Sequence, residues 1–158
     1  MSIPQEQTTF TSIVDRLLES YDFDFLKEEF EKNEIGMSVP FNECKRHYIE
    51  YLLAMIAANS FRGIDKTLKL SPPLHVDVLW HSHILETSRY RDFEKLVLEA
   101  YRQSGRESNL QHLDHSVVDN KVGREERLER TKVFYRTLGF VFVCEKKVRT
   151  FPNNFADI

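Results

Sequence analysis

The sequence predicts an all-α protein, an irregular or orthogonal bundle of about six helices with a short extended segment near the C-terminus. Three observations carry that expectation. Apolar residues recur at steps of three and four through most of the chain, and glycines and prolines fall between those runs. The 158 residues, 41% of them hydrophobic, suit one ordinary domain with its own core.

Residues 1 to 8 are polar and are expected to be a loose tail, leaving 9 to 142 as a single helical domain and 143 to 158 as a C-terminal extension. The first helix follows from Ile13, Val14, Leu17, Leu18 and Tyr21 at helical spacing, with Thr8, Thr9, Thr11 and Ser12 as start signals. A second, shorter helix places Phe25, Leu26 and Phe30 on one side and ends toward Gly36, where a left-handed stop costs little. Beyond Pro40, the positions Phe41, Cys44, Tyr48, Leu52, Met55 and Asn59 trace a third helix through EYLLAMIAA, the expected core spine. Gly63 and Pro72-Pro73 mark a connector, and either proline can open the next helix. That fourth helix is densely apolar from 76 to 85 and has only partial phasing. A break near Glu86, with Thr87 or Ser88 as a fresh cap, separates it from a fifth run through Tyr90, Phe93, Leu96, Val97, Ala100 and Tyr101. After a polar loop, Leu128, Thr131, Phe134, Tyr135 and Leu138 define a last helix closed by Gly139, and FVFVCEKKVRTFP reads as extended.

Composition removes several functions. Lys plus Arg number 22 against 25 Asp plus Glu, so the net charge of -3 gives no general attraction to a phosphate backbone, and nucleic-acid binding through this domain is not expected. The longest apolar stretch, residues 51 to 58, is far short of the roughly 20 that span a bilayer, and MSIPQEQTT lacks a signal pattern. Cys44 and Cys144 stand in no ligand spacing. A soluble, intracellular, cytoplasmic protein with reduced cysteines is the expectation. KVGREERLERTK alternates Arg124, Arg127 and Arg130 with Glu125, Glu126 and Glu129, which reads as paired charge on a solvated helix face. No phosphate loop and no positioned nucleophile is present.

The chemistry gathers in VDVLWHSHILETSRY, with the lone tryptophan Trp80 followed by His81 and His83, and in the later LDH at Leu113, Asp114 and His115. With Pro73, Val76, Asp77 and Tyr90, and with Thr131, Tyr135 and Gly139 further on, these segments resemble the glycine-rich domain-containing protein-like family, a helical domain of unknown function found in plants, fungi and bacteria. The resemblance covers about residues 46 to 142 and implies a fold rather than an activity. The chain has only five glycines, and Ser116 and Val117 stand where the family often carries acidic residues.

On a regular helix Asp77 and His81 share a face, whereas His81 and His83 point about 200° apart, so the two histidines can chelate one ion only if the helix loosens or is extended. His115 or His112 then supplies a further nitrogen. A site of His81, His83, His115 and Asp77 offers the ligand types of a transition metal, zinc or iron among them. The competing reading gives His81 and His83 hydrogen-bond partners among Asp77, Asp114 and Asp119 and makes the second motif a latch, in which the LDH loop folds over the helix, Asp114 accepts from a ring nitrogen, and Trp80 seals the seam. His47 and His75 read as ordinary structural histidines. Three functions follow: a module binding a protein partner or small ligand, organised by the histidine site; a metal-binding protein; or a small metal-dependent hydrolase or oxygenase.

Overall fold

A computed structural model describes residues 9 to 33, 39 to 60, 69 to 115 and 121 to 144. The N-terminal tail, Gly36, Gly63, Ser116, Val117, Asp119 and the extension past Cys144 lie outside the described residues. The described chain is all-helical: α1 (Phe10–Ser20), a 3₁₀ turn (Asp24–Leu26), α2 (Lys27–Lys32), α3 (Phe41–Ser60), α4 (Leu74–Leu85), α5 (Thr87–Gln103) and α6 (Lys121–Leu138). Residues 140 to 144 adopt no strand, so the expected extended segment has no sheet partner among the described residues.

The helix ends have local causes. Thr9 caps α1 by accepting from the Ser12 amide at 3.1 Å. Gly139, at φ 84°, closes α6 with paired bonds, its own N–H to Arg136 O at 3.1 Å and Phe140 N–H to Tyr135 O at 2.7 Å. The Phe140 ring packs on Tyr135 across this Schellman turn, as the motif requires. Between α4 and α5 the chain turns on Glu86 alone, whose φ of -93° and ψ of 66° leave the helical region. The expected cap at Thr87 or Ser88 is corrected here: Glu86 takes the cap position without a side-chain bond, because its carbonyl already accepts the Tyr90 amide at 2.9 Å.

α3 is the spine and touches every other helix. Tyr48, Ile49, Leu52, Leu53 and Ile56 are fully buried along it, each worth about 1.5–3 kcal/mol of apolar burial for an aliphatic side chain. One connected core takes Ile13 from α1, Phe30 from α2, Leu79 from α4, Phe93 from α5 and Tyr135 from α6. Thr131 of α6 fastens the connector ahead of α4: its hydroxyl accepts the Ser71 N–H at 3.0 Å and lies 2.9 Å from Ser71 O and 2.8 Å from Arg127 O. The segment 69 to 73, α4 and α6 are thereby held around one hollow.

Candidate functional site

The polar residues of α4 divide between a face that borders the cavity, with Asp77 and His81, and a buried one, with His75 and His83. The helix stays regular to Leu85, so His81 and His83 point to opposite faces. This corrects the expectation of a shared HxH site: a pair two residues apart cannot converge unless the helix loosens, and it does not.

On the open face, Asp77 and His81 lie one turn apart, and His115 arrives from the loop after α5. One ligand atom from each of the three falls within 4.8 Å of the other two. His115 Nε2 lies 2.6 Å from Asp77 Oδ1, with the ring N–H donating to the carboxylate. The His115 ring also packs on Trp80 at 4.5 Å and edge-on against His81 at 4.7 Å. His81 is exposed, while Asp77 and His115 are half-buried. All three border a cavity of about 620 Å³, whose wall also includes Trp80, Tyr51, Asp114 and His112.

The loop that carries His115 is tied to α5. Trp80 Nε1–H donates to Tyr90 Oη at 3.0 Å, and the Tyr90 hydroxyl in turn donates to the Leu113 carbonyl. Glu94, only 2% exposed, accepts the Leu113 amide at 2.5 Å and the Arg91 guanidinium and His112 ring at 3.0 Å. Burial works to raise the Glu94 carboxyl, but the bonds from His112, Leu113 and Arg91 outweigh it and hold it below the usual range. The latch therefore closes on Asp77 and Glu94 rather than on the expected Asp114. Asp77 binds His115, and Glu94 clasps the loop backbone, whereas Asp114 has no ring-nitrogen bond among the described residues. His112 reaches Glu94 and Arg91, on the rim of the cavity.

The opposite face is sealed. His83 is 0% exposed and lies in a cage of Tyr21, Phe23, Phe25, Tyr48, Tyr90 and Phe93. Its Nε2 is 2.8 Å from the Tyr21 hydroxyl and its Nδ1 2.8 Å from the Tyr48 hydroxyl. Tyr21 spends its single proton on Arg89 O at 3.1 Å, so it must accept from Nε2–H, and Nδ1 must then accept from Tyr48. Burial pushes the ring down to about 4, the neutral form this assignment needs. Each nitrogen of His83 is thus occupied by a tyrosine, with none left for a ligand. Nearby, His47 Nδ1 meets His75 Nε2 at 2.9 Å, a part-buried pair whose linkage across 28 residues no local pattern announces.

One part of the site is absent from the sequence reading. Arg124, Arg127, Thr131 and Tyr135 recur at steps of three and four on the inner face of α6, and both arginines line the cavity. Glu125, Glu126 and Glu129 are exposed on the outer face. The expected surface pairing of these charges is corrected accordingly: no ion pair joins Arg124 or Arg127 to a carboxylate among the described residues. The helical spacing of the arginines with Thr131 was the available signal.

No family model matches the chain, and neither the curated proteins nor the solved structures compared with it give a match. No helix among the described residues is long and apolar enough to cross a membrane.

Proposed function

We propose that this protein is a small-ligand-binding module whose site is the cavity between α4, α6 and the LDH loop, with a divalent transition metal, zinc or iron, held at its wall. The observation that carries this reading is the convergence of Asp77, His81 and His115 within 4.8 Å on the border of a space of about 620 Å³. Two imidazoles and a carboxylate suit zinc or iron, and a volume of this order suits a small molecule. Metal bonds of about 2.0–2.2 Å place ligand atoms at most about 4.3 Å apart, so the exposed His81 ring closes inward on binding. Because three protein ligands leave coordination positions open beside the cavity, a metal-dependent hydrolase or oxygenase is the second reading.

The test is elemental mass spectrometry on protein purified without a histidine tag, beside a His81→Ala variant. The reading expects about one metal per chain in the wild type and loss of that metal in a folded variant. Metal retained by the variant, or no uptake by the wild type, contradicts it. We also propose membership of the glycine-rich domain-containing protein-like family on the WHSH and LDH segments, a placement on which the ligand reading does not depend. A cytoplasmic setting is part of the same proposal, since Cys44 and Cys144 stand far apart in sequence and in no disulfide or ligand spacing.

A further inference from the structure

The cavity wall has a charge opposite to that of the chain. Lys69, Arg124 and Arg127 line it against Asp77 and Asp114, in a protein whose net charge is -3. The two arginines are half-buried, stand one turn apart, and are set on the inner face of α6 by the Thr131 bonds to Ser71. Arg124 reaches the Pro72 carbonyl at 3.5 Å, a weak bond that leaves most of its donors unused. Asp77, Tyr51 and Arg127 all border the same cavity. The acidic metal-ligand wall and the basic wall therefore face one shared space.

Guanidinium groups bind carboxylates in pairs of parallel N–H···O bonds, and a half-buried arginine with no carboxylate partner among the described residues is poised to take one from a ligand. From this juxtaposition we infer that the ligand is a small dicarboxylate with a metal-chelating end, one carboxylate on the metal at Asp77, His81 and His115 and the other on Arg124 and Arg127. The inference rests on the metal reading above and names the ligand class for that site. Lys69 adds charge at the rim without fixing geometry. Asp114, on the same wall, repels ligands whose charge spreads toward the loop.

Isothermal calorimetry on the tag-free protein separates the two claims. Zinc is titrated first, then malate into the zinc-loaded protein, with oxalate as a chelator lacking a distal carboxylate. The same series is run on Arg124→Gln/Arg127→Gln, and on Arg127→Gln alone should the double variant fail to fold. The expected result is zinc affinity within about threefold across the proteins and malate affinity lower by about tenfold or more in the variants, with oxalate nearly unchanged. Malate that fails to bind zinc-loaded wild type, or binds the arginine variants equally well, overturns the ligand class and leaves the metal reading standing. Absence of zinc binding overturns both.

Discussion

His81 and His83 are separated by one residue and live in opposite surroundings. His81 stands exposed at a cavity beside Asp77 and His115, and His83 is enclosed by six aromatic rings with both nitrogens bonded. A buried polar group with every bond made contributes to a unique fold and has nothing to offer a ligand. A partly exposed cluster of ligand groups, bonded internally only from His115 to Asp77 among the described residues, contributes less to stability and leaves His81 open to a ligand. On the proposed reading folding belongs to one face of α4 and binding to the other, and substitutions on the two faces should separate these properties.

The largest effect is expected at His83. His83→Ala removes a packed ring and orphans the Tyr21 and Tyr48 hydroxyls, which should cost about 3–5 kcal/mol in urea unfolding. A loss below about 1 kcal/mol would mean that the cage is not what holds α4. Tyr90→Phe comes next, because Trp80 loses its acceptor and Leu113 its donor in a buried chain of bonds. A cost of about 2–3 kcal/mol should accompany weaker zinc binding, since the loop carrying His115 loosens. Unchanged affinity would detach the loop from the site.

A third group, on α3, adds a contrast in pH. Glu50 is 7% exposed with Oε1 unpartnered among the described residues, and burial raises its carboxyl from the usual 4.5 to about 7 against the pull of Arg46. A carboxyl raised by folding is fully tolerated below its unfolded value, and stability is lost as pH rises from 4.5 to about 7. Glu50→Gln should therefore match the wild type at the acid end of that window and exceed it by about 1–3 kcal/mol above it. A constant gap across the window would refute the assignment. The smallest effect is expected at His81: His81→Ala should change stability by less than about 0.5 kcal/mol while removing metal binding. A large destabilisation there would erase the division between the faces.

Much of this organisation was legible in the sequence. The helical spacing of Ile13 to Leu18 and of Phe41 to Asn59 reflects faces turned to a single core, and Gly139 marks a left-handed stop that the structure contains. The Asp77–His81 pairing follows from one turn of helix. α4 is harder to phase because His75 and His83 are buried while Leu74 and Leu85 are exposed, which blurs the apolar stripe that periodicity detects. The partners of His83 come from 62 and 35 residues away, and that of His115 from 38, distances at which sequence spacing has no bearing. On α6 the interleaved glutamates hid the inner face. Arg124 and Arg127 belong to the spacing of Thr131 and Tyr135, whereas charge alternation suggested a surface.

The most direct measurement is a long-range ¹H–¹⁵N spectrum of the histidine rings near neutral pH, recorded before and after zinc is added. It reads both faces of α4 in one sample. The account predicts that the His81 and His115 nitrogens shift on metal binding, while His83 keeps the neutral tautomer with its proton on Nε2. Movement of the His83 signals with zinc, or stationary signals from His81 and His115, would contradict it.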